Sequence, residues 1–341
     1  MSADIKLPEG APEEVVTQAL VRQVDLSAFG AKGVLALITL DNTLDHNRPN
    51  TFGPRSLLAL DAAITAATDL NPAAIALTGK PFIFAAGADL SALSFITSRE
   101  QSLGIGKLGH DVFRRLGESK IPTFAFINGL ALGGGLEVGL HCHYRTLAST
   151  AFTALPEVFL GLVPGWGGAT ILPKLIGPER AVQVIMLNAL NNNTMMKAKD
   201  AFKLGVVDAV FEPSDFLERS IAFAAHVLNG TTKVERKDYS QDPAWESALA
   251  TGRAAALKKY GGAEIASPMK ALELISAAKS NTLGAGFDAE DLALADLTMS
   301  DPLRASLYAF NVIQKKRKKV EGAPKPALAR KVGKVGVVGA G

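Results

Sequence analysis

The chain has 341 residues, with 36 Lys and Arg against 33 Asp and Glu, and a formal net charge of +3. This length allows one or two domains with a well-buried core, and so small a net charge excludes binding to nucleic acid or to an anionic membrane by overall charge alone. The single cysteine, Cys142, excludes an intramolecular disulfide framework, and residues 1–20 lack the pattern of an export signal, so we expect a cytoplasmic protein.

Three short apolar runs in the first half of the chain have the length and the Gly, Pro, Asn or Asp boundaries of buried strands: residues 34–40, 74–78 and 122–127. Residues 53–70 and, less regularly, 103–116 repeat apolar side chains at helical spacing. Strands that alternate with helices predict an α/β fold. The most apolar stretch, residues 121–140, contains proline, asparagine, glutamate and five glycines, so it is not expected to span a membrane.

Beyond residue 177 the pattern is mostly helical, with one further strand predicted at residues 206–211. The predicted helices span residues 179–188, 195–204, 215–228, 244–259, 269–279 and 290–313. Residues 314–330 contain seven Lys or Arg, two Pro and one Gly, which is typical of an exposed linker. An RNA-binding tail at Lys315–Lys319 is the alternative, but no aromatic residues for base stacking are interleaved with these lysines and arginines.

Residues 331–338 predict an apolar strand that runs into Gly339-Ala340-Gly341. A strand followed by G-x-G opens a dinucleotide-binding unit, but the third glycine, the helix and the ribose-binding acid would all lie beyond residue 341. We therefore expect the truncated start of a dinucleotide-binding domain, which cannot bind NAD. A glycine-rich irregular end is the alternative.

Three segments carry residues suited to chemistry. Residues 128–141 place three consecutive glycines, Gly133 to Gly135, at the start of a predicted helix that contains Glu137. Unpaired amide N–H groups at such a helix start bind an oxyanion well, although Glu137 could equally be a stabiliser of the helix dipole. Residues 81–90 form a small-residue turn before Asp89, which could be an ordinary helix cap. Residues 155–168 contain Glu157 and a glycine-rich turn. Glu157 is either a second reactive carboxyl group or an ordinary surface glutamate.

Together the motifs AAGAD, NGLALGGGLE and PEVFLGLVPGWGG resemble those of the crotonase, or enoyl-CoA hydratase, superfamily, over roughly residues 20–230. Residues 195–210 are similar to the segment that follows the core of that family, and Arg48-Pro49-Asn50 resembles its loop beside coenzyme A. The end of the chain resembles the junction in a multifunctional fatty-acid oxidation protein where the hydratase part passes into a 3-hydroxyacyl-CoA dehydrogenase domain.

The resemblance implies a crotonase fold of stacked ββα units over residues 1–265, a mostly helical linker over 266–330 and the truncated domain over 331–341. It also implies that Glu137 deprotonates water, that Glu157 supplies a proton to the α-carbon of a 2-enoyl thioester, and that the backbone N–H groups of Ala88 and Gly134 hold the thioester oxygen. The family positions assigned to substrate binding are Asn50, Ala86, Asp89, Leu90, Pro164 and Gly165.

Several features depart from the family pattern or carry weaker signals. His141-Cys142-His143 contains metal-ligating residue types, but residues two apart do not share a helix face and no second cluster completes a site, so no metal is expected. His143 stands where the family more often has aspartate. Trp166 is either a packed core residue or a wall of the acyl pocket.

The leading prediction is therefore an enoyl-CoA hydratase of fatty-acid β-oxidation that needs no cofactor besides the coenzyme A of its substrate. An enoyl-CoA isomerase, an NAD-dependent dehydrogenase and a non-catalytic RNA-binding member of the fold are the alternatives. The resemblance implies an acyl-CoA substrate as partner, and either a homotrimer or, in a longer protein, pairing with a thiolase subunit. No membrane or nucleic-acid partner is expected.

Overall fold

The computed structural model describes residues 12–44, 48–93, 95–313, 322, 328, 330–336 and 338. The basic segment Lys315–Lys319 and the terminal Gly339-Ala340-Gly341 lie outside the described residues. Residues 330–336 and 338 are exposed and form no strand, so the strand predicted from residue 331 is wrong for these positions. An isolated strand needs a neighbour to pair its N–H and C=O groups, and no described strand lies beside this segment.

The larger of two β-sheets contains six strands among the described residues, in the order β1, β2, β3, β5, β7, β10. These strands are β1 (Gln18–Asp25), β2 (Val34–Asp41), β3 (Ala74–Gly79), β5 (Thr123–Ile127), β7 (Tyr144–Ala148) and β10 (Ala209–Phe211). β1 pairs antiparallel with β2, and every other neighbouring pair is parallel. The central strands β3 and β5 are buried along their whole length, as expected for a parallel sheet covered on both faces.

A smaller sheet contains four short strands in the order β4, β6, β8, β9. They are β4 (Ile83–Ala85), β6 (Leu130–Leu132), β8 (Phe152–Ala154) and β9 (Met196–Lys197). The first three run parallel, and β9 pairs antiparallel with β8. The chain passes three times from a strand of the large sheet to a strand of the small sheet and then into a helix, which confirms the predicted stacked ββα units.

Helices cover the sheets and continue beyond them. Through the ββα region they are α1 (Pro54–Asp69), α2 (Leu90–Leu93), α3 (Arg99–Gly117), α4 (Gly134–His141), α5 (Glu157–Leu160) and α6 (Gly168–Ile176). The later helices are α7 (Pro178–Val182), α8 (Asn188–Leu190), α9 (Ala198–Leu204), α10 (Phe216–Leu228), α11 (Trp245–Lys259), α12 (Ala266–Ala278), α13 (Leu283–Thr298) and α14 (Asp301–Asn311). A π-helical turn, Gln183–Leu187, joins α7 to α8. Within the described residues, no helix is both long and apolar enough to cross a bilayer.

The helical C-terminal part packs on the ββα units instead of standing apart from them. α13 lies along α3, and α12 lies against α6. The sequence predicted one helix over residues 290–313, and the structure divides that segment between α13 and α14. Ser300 caps α14 by accepting a hydrogen bond from Leu303 N, and Pro302 occupies its first turn, where a missing N–H costs nothing. The domain boundary predicted at residue 265 stays a prediction.

Candidate active site

The site lies where the three stacked units repeat the same feature. β4, β6 and β8 are parallel neighbours, so their carboxyl ends meet at one edge of the small sheet. The segments that follow these strands, Ala86–Ala88, Gly133–Gly134 and Pro156–Glu157, all line one cavity of about 110 Å³. Ligands of α/β proteins commonly bind at such an edge, because loops and helix N-termini converge there.

Ala88 contributes a backbone N–H whose direction is set by a single β-bridge to Phe52. Phe52 N donates to Gly87 O at 2.8 Å, and Asp89 N donates to Phe52 O at 3.3 Å. In a parallel bridge of this kind the hydrogen bonds involve the residues on either side of Ala88, so the N–H of Ala88 itself points away from the bridge. Ala88 is among the residues that line the cavity.

Gly134 begins α4, so its N–H is one of the helix donors without an intrahelical acceptor. The approach to Gly87 is close, because a Cβ atom on Gly87 would lie 3.0 Å from Gly134 N, and the φ of Gly87 is +80°. Both the contact and the positive φ require glycine. The N–H groups of Ala88 and Gly134 are thereby brought to the same wall of the cavity.

Glu137 is 2% exposed and belongs to the first turn of α4. Its Oε1 accepts hydrogen bonds from Trp166 N at 2.8 Å and from Gly168 N at 2.9 Å. These donors fix the carboxylate, and Oε2 receives no hydrogen bond from the described residues. Glu137 therefore enters the cavity wall as an oriented acceptor with one oxygen uncommitted.

Glu157 begins α5 and faces the same cavity from the third unit. Its Oε1 lies over Gly133, where an added Cβ would come within 2.4 Å of it. Its Oε2 is buried and has no hydrogen-bond partner among the described residues. The two glutamates that were predicted to act together thus line one cavity, although they are distant in sequence.

The two carboxyl groups favour their protonated forms. Burial raises the pKa of Glu137 to about 7, with a further rise from the charge of Glu290, and the N–H groups of Trp166 and Gly168 oppose that rise. Burial also raises the pKa of Glu157 well above its ordinary value, and the charge of Glu137 adds to the effect. Both carboxyl groups therefore hold a proton more readily than an ordinary glutamate does.

The residues predicted to bind substrate divide into two groups. Ala86, Leu90 and Gly165 line the cavity, whereas Asn50, Asp89 and Pro164 do not. Asn50 is fully buried, and its Nδ2 donates to Leu40 O and Phe84 O, so its side chain ties the loop to two strands. The substrate-binding roles of all six stay predictions.

The three residues of the His141-Cys142-His143 sequence have separate surroundings. His141 Nε2 donates to Trp166 O at 2.9 Å, and burial lowers the pKa of His141 to about 3, so the ring is neutral. Cys142 is buried, which raises the pKa of its thiol to about 12. His143 Nδ1 accepts from Thr123 N at 3.0 Å. In the part of the chain that the structure describes, no three His, Cys, Asp or Glu side chains are arranged so that they could hold a metal ion.

Trp166 and residues of α13 complete the cavity wall, and those of α13 were not predicted from the sequence. Trp166 is 4% exposed and lines the cavity, and its indole lies against Gly134. It is therefore a buried residue, and its role in an acyl pocket stays a prediction. Leu294 and Thr298 of α13 also line the cavity. Glu290, on the same helix, accepts a hydrogen bond from Gly167 N at 2.6 Å. The helical part thus closes one side of the site.

Comparison with known proteins identifies the family of this chain. Residues 31–261 match the family model described as enoyl-CoA hydratase/isomerase. The chain is 31% identical over 326 residues to the fatty acid oxidation complex subunit alpha of Shewanella frigidimarina. This alignment covers 90% of this chain and 43% of that protein. It is 36% identical over 189 residues to the crotonyl-CoA hydratase of Syntrophomonas wolfei, covering 54% of this chain and 70% of that one.

Among solved structures, an enoyl-CoA hydratase from Bacillus anthracis superposes with a TM-score of 0.53 at 26% identity, over 72% of this chain and 90% of that one. The chain spans less than half the length of the fatty acid oxidation subunit that it matches.

Proposed function

Because this chain belongs to the enoyl-CoA hydratase/isomerase family, we propose that it adds water to 2-enoyl-CoA thioesters with two glutamates and a backbone oxyanion hole. One observation carries the proposal: Glu137, Glu157 and the segments that contain the N–H groups of Ala88 and Gly134 line the same cavity. The cavity is otherwise mostly apolar, as a site for an acyl chain should be.

The oxyanion hole binds the thioester carbonyl oxygen. Attack of water on the β-carbon moves negative charge onto that oxygen, and the N–H groups of Ala88 and Gly134 stabilise it there. Both donors are part of the backbone and are already oriented by the bridge to Phe52 and by the start of α4. Such preorganised donors contribute about 2.7–4 kcal/mol each to stabilisation of an oxyanion.

The two glutamates move the protons. Glu137, as carboxylate, takes a proton from water while the water oxygen bonds to the β-carbon. Glu157, as carboxylic acid, gives its proton to the α-carbon as the enolate collapses to the thioester. The product gains one water in total, and a proton passing from Glu137 back to Glu157 restores the starting state.

This division of roles agrees with the charge state of each group. The pKa of Glu137 is raised to about 7, and that of Glu157 is raised well above its ordinary value. Turnover should therefore fall below neutral pH as Glu137 becomes protonated and fall again at high pH as Glu157 loses its proton. A bell-shaped profile of kcat/KM against pH is expected.

The decisive measurement is the loss of crotonyl-CoA absorbance with purified wild type, Glu137→Gln and Glu157→Gln. Each substitution keeps the side-chain size and removes one proton-transfer group, so kcat should fall about 10²–10⁴-fold in either variant. Thermal unfolding of both variants controls for folding. Wild-type turnover in both variants would exclude the two-glutamate mechanism.

Isomerisation of 3-enoyl-CoA is the second candidate, because the same oxyanion hole stabilises the dienolate formed in a double-bond shift. A shift needs only one group to carry a proton, whereas hydration uses both glutamates. The two activities are distinguished by measuring kcat/KM for a 3-enoyl-CoA and for the 2-enoyl-CoA of the same chain length. A higher value for the 3-enoyl substrate would assign isomerisation as the main reaction.

The metabolic origin of the substrate is inferred from the relatives. The name of one relative places it in a fatty acid oxidation complex, so we infer that the acyl-CoA substrates of this chain arise in β-oxidation. A homotrimer and a complex with a thiolase subunit predict different masses, which light scattering of the purified protein distinguishes.

A further inference from the structure

A buried group of charged side chains lies directly behind Glu137 and takes no part in the mechanism above. Glu290 and Asp291 of α13 face His110 of α3. His110 Nδ1 lies 2.8 Å from Asp291 Oδ1, and His110 Nε2 lies 3.3 Å from Glu290 Oε2. The ring of His110 also stacks on Phe287, with 4.7 Å between ring centroids.

We propose that Glu290 is a positioning residue for the hydration reaction, which holds the loop that orients Glu137 and supplies a fixed negative charge beside it. This inference rests on the proposed function. It concerns a residue beyond residue 261, where the match to the family model ends, on a helix outside the ββα units.

The geometry that supports this role lies in three consecutive N–H groups at the start of α6. Trp166 N and Gly168 N donate to Glu137 Oε1, and the N–H between them, from Gly167, donates to Glu290 Oε2 at 2.6 Å. The two carboxylates therefore accept hydrogen bonds from alternating N–H groups of one short turn. Removing the Glu290 acceptor frees the middle donor, and the turn that positions Glu137 loses one of its three anchors.

Glu290 also has little freedom to move away. It is 0% exposed, and α13 packs closely against α3, since a Cβ on Gly106 would lie 2.8 Å from Asp291 Oδ1. Glu290 Oε1 is buried without a hydrogen-bond partner among the described residues. A carboxylate left partly unsatisfied in the interior is costly for folding alone, which points to a role at the neighbouring site.

The charge of Glu290 makes Glu137 a stronger base. A like charge nearby disfavours ionisation, and Glu290 is the largest contribution after burial to the raised pKa of Glu137, with His110 acting in the opposite direction. Although burial disfavours its protonated form, His110 keeps a pKa of about 9 through its hydrogen bonds to Asp291 and Glu290. The titratable groups around Glu137 are His110 on α3, His141 on α4, Glu157 on α5, and Glu290 and Asp291 on α13.

Two substitutions of Glu290 separate the effect of its negative charge from the effect of its hydrogen bond to Gly167 N–H. Glu290→Gln keeps an oxygen for Gly167 N–H and removes the charge, so kcat at the optimum should stay within about threefold of wild type while the acid limb of the pH profile moves down by about one pH unit. Glu290→Ala removes the anchor as well, and kcat should fall by about tenfold to a hundredfold with little change in KM.

Asp291→Asn is the matched control, because Asp291 shares His110 with Glu290 but makes no hydrogen bond to the loop. Weakening the protonated state of His110 removes a positive charge from the site, so this variant should leave the acid limb in place or move it up. A purely structural role for Glu290 predicts that all three variants lower stability alike and move no titration midpoint.

A direct titration of Glu137 makes the test independent of turnover. The carboxyl carbons of ¹³C-labelled glutamate are followed by NMR from pH 4 to pH 10, and the Glu137 signal is the one lost in Glu137→Gln. A lower midpoint in Glu290→Gln than in wild type supports the inference even if wild type fails to hydrate crotonyl-CoA, a result that would refute only the proposed function. An unchanged or higher midpoint, or wild-type kcat in Glu290→Ala, overturns the role of Glu290.

Discussion

Two clusters of buried charge in this molecule differ in how completely their charged groups are partnered, and we call a cluster balanced when every charged group faces an opposite charge or a hydrogen-bonding group. In the first, Arg145 of β7 is 2% exposed, and its side chain reaches the C-terminal end of α4. Its side chain donates to Val206 O at 3.0 Å and to Cys142 O at 2.5 Å, and its backbone N–H donates to Asp208 Oδ2 at 2.8 Å. Asp208 is bound in turn by Arg236, with 2.7 Å between Arg236 Nη1 and Asp208 Oδ1. Every charge in this cluster faces an opposite charge or a polar group.

The second cluster surrounds the cavity and is not balanced. Glu137, Glu157, Glu290 and Asp291 stand against one basic group with a raised pKa, His110. Three of its buried polar atoms have no partner among the described residues: Glu157 Oε2, Trp166 Nε1 and Glu290 Oε1. The carboxyl groups around the cavity raise one another's pKa values, whereas the groups around Arg145 are held by hydrogen bonds and ion pairs. The contrast agrees with the proposed catalytic role of the cluster at the cavity and with a structural role for the cluster around Arg145.

The largest effect is expected in the balanced cluster. Arg145→Met removes the buried cation beside Asp208 and the side-chain donors to Val206 O and Cys142 O, so the free energy of unfolding measured in urea should fall by about 3–5 kcal/mol. Arg236→Met, at a side chain 39% exposed, should cost about 1 kcal/mol or less. Wild-type stability in Arg145→Met would remove the distinction, as would a shifted pH profile of hydration in that variant.

The next effect concerns the oxyanion hole. A Cβ on Gly134 would lie 2.5 Å from Trp166 Cε3, so Gly134→Ala must displace either the helix start or the indole. We expect kcat for crotonyl-CoA to fall about 10²-fold. Gly139→Ala, on the same helix, is the control, because its Cβ would meet Ile127 Cδ1 at an acceptable 3.4 Å. Equal kcat values in the two alanine variants would argue against Gly134 N–H as a catalytic donor.

The smallest effect links the unbalanced cluster to stability. Folding raises the pKa of His110 from 6.5 to about 9, so its protonation stabilises the folded state fully below pH 6.5, and this contribution is lost as the pH rises through about 9. His110→Gln should therefore lower the free energy of unfolding by about 2 kcal/mol at pH 6, with a gap that narrows towards pH 10. Thermal unfolding across that range measures it. A gap that widens with pH would mean that His110 is neutral in the fold.

The sequence predicted the parts of the fold whose local pattern matches their environment. The mostly apolar runs at 34–40, 74–78 and 122–127 correspond to β2, β3 and β5 within one residue at either end. The small sheet was missed, because strands of two or three residues are too short to show a period of two. β1 was missed as well, since it lies at the sheet edge and alternates between exposed and half-buried residues.

The candidate site was predicted as far as its motifs extend, and the missing members lie on α13. Phe287, Glu290, Asp291 and Leu294 follow the three-to-four spacing of a buried helix face, with acids at positions where apolar residues are normal. That signal was present in the sequence but was concealed because the helix was predicted to begin at residue 290. The partners of these acids, His110 and Gly167, are more than a hundred residues away, and a local pattern cannot join them.

The bridge between Phe52 and Ala88 places an unusual constraint on engineering of this enzyme. Any L-residue at position 88 other than proline retains the N–H, so substitution there is a poor way to test the proposed binding of the thioester oxygen. The direction of that N–H depends instead on Phe52, whose ring packs edge-on against Phe113 and Trp166 at centroid distances of 5.3 and 6.5 Å. The orientation of the residue 88 N–H therefore depends on how the Phe52 ring packs. Variant libraries that seek altered reactivity should change the packing around Phe52 before they change residue 88.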